Sequence, residues 1–317
     1  MILSASRRTD IPAFYSEWMV RRLQAGYVLV PSPRNPSRFS RVKLNPQVVD
    51  CIVFWTKNPA PILPRLGEIF AMGYSYYFQF TLTPYGRDME PHLPPKRVLL
   101  QTFRSLSKIV GGERVVWRYD PVILTEHMDI KYHLHCFEKM ATALEGYTQR
   151  CIFSFLDLYP RVRKCLQDEK VNAIPKWDML RLAEGFSEIA QKRGLQLFTC
   201  CEPMDLGRYG IAHASCIDAG VIQEIIGCSI RAKKDAKLRP GCGCMESVEI
   251  GAYDSCGHGC KYCYATSSWN VVRHNMARHH PMAPVLFGPL PESAEITEGH
   301  MISMKDAQVR LWDEELK

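Results

Sequence analysis

The sequence predicts an α/β fold organised as a (β/α) barrel, complete or partial, and three observations carry that expectation. Short apolar, β-rich runs alternate with longer segments of helical periodicity through the first two hundred residues. The strands are near-continuously apolar, the pattern of a parallel sheet buried under helices on its outside. Each strand also runs forward into polar or charged residues, as expected where strand ends converge on one mouth.

Taken in order, the expected strands are Ile2–Ser6, Cys51–Thr56, Tyr76–Leu82, Val115–Arg118, Cys151–Phe155 and Leu195–Thr199. Between them, apolar residues return every three or four positions over Tyr15–Gln24, Ile62–Met72, Lys96–Ile109, Ile130–Leu144 and Trp177–Arg193, so these read as amphipathic helices. Tyr27–Val30 and Ser40–Leu44, split by the Pro- and Ser-rich Pro31–Arg38, read as a β-hairpin or long loop. A seventh strand, Ser247–Ala252, leads straight into a cysteine-rich loop. Residues 1–265 are thus expected to form the barrel. Residues 266–317, with their His-, Met- and Pro-rich composition and a short charged helix near Ile302–Glu314, are expected to pack on it as a tail whose histidines lie at the surface.

At 317 residues, 46% hydrophobic, 23% charged and 10% aromatic, the chain is long enough to bury a large core, which excludes disordered and fibrous classes. No stretch approaches the roughly 20 apolar residues that span a bilayer, and the basic pair Arg7-Arg8 follows a very short apolar run, the reverse of a secretory signal. The expectation is a cytoplasmic protein without a membrane partner. The net charge of +7 is spread along the chain with no basic run, so nucleic acid is not indicated and an anionic small-molecule pocket explains the excess as well.

The strand ends supply the candidate pocket. Arg7, Arg8, Lys57, Arg118, Asp120, Asp157 and Glu202 follow or close predicted strands and Gln79 lies within one; there cations could hold a carboxylate or phosphate and carboxylates could bind amine or ribose groups of a small polar substrate. Helix capping is the plainer reading for Asp10, before Ile11-Pro12, and for Asn58. Gly111-Gly112-Glu113 precedes its strand and reads as a turn.

Thirteen cysteines without a secretory signal point to reduced thiols and metal ligands. Cys51, Cys136, Cys151 and Cys165 stand singly in apolar or helical surroundings and are expected to be small core residues. Cys256, Cys260 and Cys263 form C-x3-C-x2-C on a loop softened by Gly257 and Gly259. Three cysteines on one loop suit three irons of a [4Fe–4S] cluster with the fourth left open. Zinc is the alternative, with Cys260 and Cys263 completed by Cys242 and Cys244 or by His258; uncoordinated thiols are the remaining one. Cys200, Cys201, Cys216, Cys242 and Cys244 are left over. Either Cys242 or Cys244 closes the first cluster, or four of the five hold a second iron–sulfur cluster.

Cys256-x3-Cys260-x-Tyr262-Cys263 resembles the signature of the radical S-adenosylmethionine superfamily, and His258-Gly259-Cys260 with Tyr262 to Ala265 is similar to its spore-photoproduct-lyase branch. The resemblance implies a cluster held by the three cysteines, with S-adenosylmethionine chelating the open iron. It also implies reductive cleavage to a 5′-deoxyadenosyl radical that takes hydrogen from substrate, and an electron donor such as a flavodoxin or ferredoxin. In that superfamily the cysteine loop follows the first barrel strand; here it comes after the predicted units, so the implied barrel is cyclically permuted, with Ser247–Ala252 as its first strand. A nucleic-acid repair role would rest on the lyase-like motif and the modest basicity alone. A closed zinc or iron–sulfur site that staples the chain or relays electrons is the non-enzymatic alternative.

Nearly the whole chain also resembles the domain of unknown function 1848 family. The matching stretches are Ser4 to Tyr15, Phe54 to Pro59, Phe78 to Tyr85, Trp117 to Pro121, Cys216 to Asp218, and Cys242 through Ala265. That resemblance implies no activity.

Overall fold

The computed structural model describes residues 1–306 except 33, 34, 36, 172 and 240. Its strands are β1 Ile2–Ala5, β2 Tyr27–Pro31, β3 Arg38–Lys43, β4 Cys51–Thr56, β5 Tyr76–Thr81, β6 Val115–Val122, β7 Arg150–Phe155, β8 Gln196–Cys200, β9 Ala212–Ala214, β10 Val248–Glu249 and β11 Glu295–Glu298. Its α-helices are α1 Ile11–Phe14, α2 Ser16–Ala25, α3 Leu66–Ala71, α4 Lys96–Val110, α5 Ile130–Leu144, α6 Pro160–Cys165, α7 Lys176–Lys192, α8 Ala219–Ile226 and α9 Trp269–Ala277.

Eight strands form one parallel sheet in the order β10-β1-β4-β5-β6-β7-β8-β9. Its hydrogen-bonded order has β10 at one edge and β9 at the other, so the expected βα alternation stands as an α/β fold with helices flanking a parallel sheet. Period-2 alternation sorts each strand into two faces. Leu3, Ile52, Phe54, Phe78, Phe80, Trp117, Phe153 and Leu197 turn toward the helices. There Trp117 stacks on Phe137 of α5 at 5.0 Å between ring centres, and Phe137 stacks on Phe186 of α7 at 4.4 Å. The intervening residues Ile2, Cys51, Val53, Tyr77, Val116 and Ile152 face the other way, onto Val221 and Ile222 of α8 and onto Cys216 and Cys244. Both faces are therefore covered, which is why the strands read as unbroken apolar runs.

The hairpin expected around Tyr27–Leu44 is β2 paired antiparallel to β3, and β11 of the tail adds to β3 in parallel. The tail also contacts α2, where Trp18 Nε1 donates to the carbonyls of Ala283 and Val285 at 3.0 and 3.1 Å. His274 and His280 are exposed, while His279 is half-buried, its ring 4.7 Å from that of Tyr15.

Several expectations are corrected. The strand over Ser247–Ala252 shrinks to Val248–Glu249, because only those two residues pair with β1. Val115–Arg118 extends through the Asp-Pro step to Val122, with a register shift against β7 between Tyr119 and Val122. Cys165 is exposed and Cys136 is partly exposed, so neither is a core residue; Cys51 and Cys151 are fully buried as expected. Residues 302–306 carry no helix, and the remainder of the expected helix near Ile302–Glu314 lies outside the described residues. Gly112–Arg114 is a single 3-10 turn, in keeping with the turn expected there.

Candidate functional site

β10 delivers the cysteine loop to the C-terminal edge of the sheet. At its end Glu249 accepts the hydroxyl of Ser4 at 2.9 Å and the backbone N–H of Arg7 at 3.0 Å, which ties the loop's root to the end of β1. Further bonds seat the loop on its neighbours. Tyr15 Oη donates to the Ser255 carbonyl at 2.5 Å, Lys261 N to the Met89 carbonyl at 3.0 Å, and Tyr264 Oη to the Arg7 carbonyl at 2.8 Å.

Two glycines permit this fit. A Cβ at Gly257 would sit 2.7 Å from the Phe14 ring, and Gly259 has φ +67° with the His92 ring 2.8 Å from where a Cβ would stand. The thiols already receive donors: Cys263 Sγ accepts the N–H of Ala265 at 3.3 Å and the hydroxyl of Thr266 at 3.7 Å. Burial pushes Cys256 up strongly and Cys260 up to about 12, the latter opposed by the Lys57 ammonium.

Two polar clusters lie against this loop. His258, inside the motif, places Nε2 2.7 Å from Asp10 Oδ2 in a buried pair, while its Nδ1 is buried without a partner. The second cluster centres on Glu90, whose side chain is 1% exposed. It binds Lys57 Nζ at 2.8 Å, the Thr83 hydroxyl at 2.7 Å, and both Lys96 and the Tyr262 hydroxyl at shorter range. Burial alone would raise the Glu90 carboxyl, but the Lys57 and Lys96 ammonium groups outweigh it and hold it down at about 2. Burial likewise opposes the charge on Lys57, yet Glu90 prevails and raises it. Lys57 Nζ also lies 2.9 Å from Tyr262 Oη, so the aromatic of the C-x2-C pair is wired directly to a strand-end cation.

A separate set of thiols occupies the face of the sheet beneath α8. Cys200 closes β8 and Cys216 follows β9; their sulfurs are 3.0 Å apart. Cys244 reaches the same place, with a side-chain contact to Cys216, a second to Cys242, and the Ile217 N–H on its sulfur at 3.4 Å. Arg118 Nη1 donates to Cys216 Sγ at 2.8 Å, while its Nη2 pairs with Asp120. Asp120 in turn takes the Ser154 hydroxyl. Burial opposes charge on both members of this pair, and each is nevertheless held ionised, Arg118 raised by Cys216 and Asp120, Asp120 lowered by Arg118.

The eight candidate pocket residues thus separate. Lys57 stands at the cysteine loop. Gln79, Arg118 and Asp120 are inward-facing residues of β5 and β6, with Gln79 Nε2 bonded to the Cys216 carbonyl at 2.8 Å. Arg7 lies between the two, 5.8 Å above the Trp55 ring whose other neighbour is Arg118 at 5.3 Å, and it donates to Ser247 Oγ at 3.1 Å. Arg8 turns away to cover Tyr253 at 4.8 Å. Asp157 is exposed and pairs with Arg239. Glu202 accepts the Phe155 N–H at 2.8 Å; burial, helped by Asp157 and Asp120, pushes its carboxyl up to about 7.

Glu90, Lys96 and the acceptor roles of Asp10 escape sequence reasoning. Glu90 sits in the long connection after β5 with no periodicity or spacing to mark it, and Lys96 opens α4, where helical periodicity marks the helix but not a role for its first residue. Asp10 does cap α1, its Oδ1 accepting Ala13 N at 3.0 Å, as expected of it. Its second oxygen also accepts Lys57 N at 2.7 Å and meets His258, partners far away in sequence. Asn58 closes a local turn onto Ala60 N at 3.3 Å.

A family model for a domain of unknown function, DUF1848, matches residues 2–265. The chain belongs to the DUF1848 family. The matched span contains both groups of cysteines and every candidate pocket residue, and it ends immediately after the Cys256–Cys263 loop. No curated protein matches the chain.

Among the described residues, no group of three or more His, Cys, Asp or Glu side chains is drawn together tightly enough to hold a metal ion. A zinc site of the structural kind closes four ligands on one centre. A cluster spreads its ligands over several irons and asks for wider sulfur spacing. Three thiols on one loop, with an N–H and an O–H donor already on Cys263 Sγ, are the kind of donor set such a cluster would take. No described helix is long and apolar enough to cross a membrane.

Proposed function

We propose that this chain is an iron–sulfur enzyme of the radical S-adenosylmethionine type acting on a small polar substrate, with Cys256, Cys260 and Cys263 holding a [4Fe–4S] cluster. The observation that carries this reading is where the other cysteines go. Of the two thiols that could have closed the cluster, Cys244 contacts Cys216 beneath α8 instead, and Cys242 contacts Cys244. That leaves three loop thiols for the cluster and supports an open fourth iron.

When bound, such a cluster supplies the electron that cleaves S-adenosylmethionine reductively and so starts hydrogen abstraction from substrate. The chain's own groups bind and orient. Lys57 and Lys96 flank Glu90 with two cations against one carboxylate, leaving a net positive site beside Cys260 that suits the carboxylate of an amino-acid moiety. The His258–Asp10 pair fixes the loop between Cys256 and Cys260. Deeper along the sheet, Arg118 and Arg7 bracket the Trp55 ring and would hold an anionic or planar polar substrate at the strand ends, where open α/β sheets bind ligands. Position in the sheet supports the permuted arrangement as well. The strand that feeds the loop is an edge strand beside β1, so the chain order β10, β1, β4, β5, β6, β7 runs steadily across the sheet. A flavodoxin or ferredoxin is the electron donor that this chemistry would require.

The test is anaerobic reconstitution with iron and sulfide, followed by dithionite and S-adenosylmethionine. Formation of 5′-deoxyadenosine above the level of a Cys256→Ala, Cys260→Ala, Cys263→Ala variant is expected. Fully loaded protein that forms none would overturn the reading.

A further inference from the structure

We infer that Cys200, Cys216, Cys242 and Cys244 form a second, closed metal centre of four thiolates that pins the long loop between α8 and β10 to the face of the sheet. This goes beyond the function proposed above and does not rest on it.

Four sulfurs from three separate segments meet in one place: the end of β8 at Cys200, the turn after β9 at Cys216, and the loop before β10 at Cys242 and Cys244. They are joined in a continuous chain of contacts, Cys200 to Cys216, Cys216 to Cys244, and Cys244 to Cys242. A thiol is a weak hydrogen-bond partner, so four of them gathered under a helix satisfy one another poorly. They satisfy a soft metal well.

The surroundings are those of metal-bound sulfur rather than of a packed thiol. A guanidinium N–H from Arg118 meets Cys216 at 2.8 Å and a backbone N–H from Ile217 meets Cys244 at 3.4 Å. Donors aimed at sulfur stabilise ligating thiolates and offset their charge. The backbone is also shaped for close approach. Gly243, between the paired cysteines, has Ser215 Oγ 2.5 Å from the place of a Cβ, so the Ser215–Cys216 and Cys242–Cys244 segments pack closely there. Next to Cys200, Cys201 adopts φ +57°, a left-handed conformation costly for a side chain of this kind.

Residues 227–247 contain no helix and no strand among those described, only isolated bridges, Ile230 with Lys305 and Lys234 with Met245. A metal bound at Cys242 and Cys244 would add a fixed point to a stretch otherwise held by such bridges and by single backbone bonds, among them Met245 N to the Ile217 carbonyl at 3.0 Å.

As they stand, the thiols hydrogen-bond to one another and are not set for an ion, in keeping with the absence of any ion-holding group among the described residues. Sulfurs on one tetrahedral zinc with bonds of about 2.3 Å stand ~3.8 Å apart. The 3.0 Å gap between Cys200 and Cys216 must therefore open by somewhat under 1 Å. Each S–H···S contact is replaced by a sulfur–metal bond, with one proton released per thiol. Zinc and an iron–sulfur cluster share this four-thiolate chemistry.

The experiment removes the C-terminal site first. The full-length Cys256→Ala, Cys260→Ala, Cys263→Ala variant is purified anaerobically, offered zinc alone in one arm and iron with sulfide in the other, and desalted against a weak chelator. The expected result is about one zinc, or one cluster with charge-transfer absorption, retained per chain. Adding Cys216→Ser and Cys244→Ser should reduce that to background, whereas adding Cys151→Ser, a buried thiol elsewhere, should leave it unchanged. Circular dichroism confirms that each variant is folded. A folded triple variant that retains neither metal, or metal that survives loss of Cys216 and Cys244, would overturn the proposal. So would a Cys200–Cys216 disulfide found by mass spectrometry in protein alkylated at lysis. Because the first cluster is absent throughout, these outcomes are independent of whether S-adenosylmethionine is cleaved.

Discussion

His258 Nε2 lies 2.7 Å from Asp10 Oδ2, joining the centre of the cysteine motif to the end of the first strand across 248 positions of chain. Asp10 therefore does more than cap α1. While Oδ1 caps α1, Oδ2 also accepts the Lys57 backbone N–H, so one carboxylate sets the relative positions of the segment after β1, the end of β4 and the cysteine loop.

Asp10→Ala should cost about 2–3 kcal/mol, combining a lost cap with a buried imidazole and N–H left unpaired. Urea unfolding would measure this. Asp10→Asn, which retains acceptor capacity, should recover part of it. Iron retained after reconstitution should fall in the same order, and equal iron content in all three proteins would show that the pair does not shape the loop.

Glu90→Gln leaves Lys57 and Lys96 facing a neutral amide in a buried site, and a loss of about 3 kcal/mol is expected at pH 7. The sign of its pH dependence follows from the depressed carboxyl. With a folded value of about 2, below the ordinary 4.5, the stabilisation is fully present above 4.5 and is lost as pH falls through about 2. The gap between wild type and variant in denaturant midpoint should accordingly shrink between pH 5 and pH 2. A gap constant across that range would contradict the assignment.

Glu202 should behave in the opposite sense. Its carboxyl is raised to about 7, so the ionised form is disfavoured in the fold, and stability declines as pH rises from 4.5 through 7. Glu202→Gln, which can still accept the Phe155 N–H, should match wild type near pH 4.5 and melt a few degrees higher at pH 8. Thermal melts at the two pH values decide it. A lower melting temperature at pH 8 would mean that the charge is compensated in the native state.

Gly257→Ala should destabilise the loop by about 1–3 kcal/mol, since the added methyl would overlap the Phe14 ring. Phe14→Leu should relieve part of the cost in the double variant. Additive effects in a double-mutant cycle would indicate that the two residues do not press on each other.

Much of the architecture was legible in one dimension. β4 coincides with its expected limits, and α5 was expected at Ile130–Leu144 and lies there, because apolar periodicity reflects local pairing and one-sided burial. The Cys256–Cys263 spacing was equally plain. The short elements were not. β9 and β11 have three and four residues, too few to show a period, and β10 keeps only Val248 and Glu249 of the strand expected over Ser247–Ala252; each exists because a neighbouring strand offers its edge. Cys165 reads as a core residue standing singly in apolar or helical surroundings but faces solvent, since α6 is a six-residue helix with Val162 as its buried residue.

By itself, the sequence determined the α/β alternation, the polar residues that follow or lie near the strand ends, and a three-thiol loop that contains permissive glycines. These are properties of spacing, and spacing survives in a string of letters. Tertiary structure alone decided the partners: that Glu90 neutralises Lys57 beside Cys260, that Asp10 grips His258, and that Cys242 and Cys244 turn to Cys200 and Cys216 rather than to the loop that follows them. Each of those contacts joins segments brought together only by the stacking of parallel strands, whose crossover connections return every strand end to the same edge of the sheet.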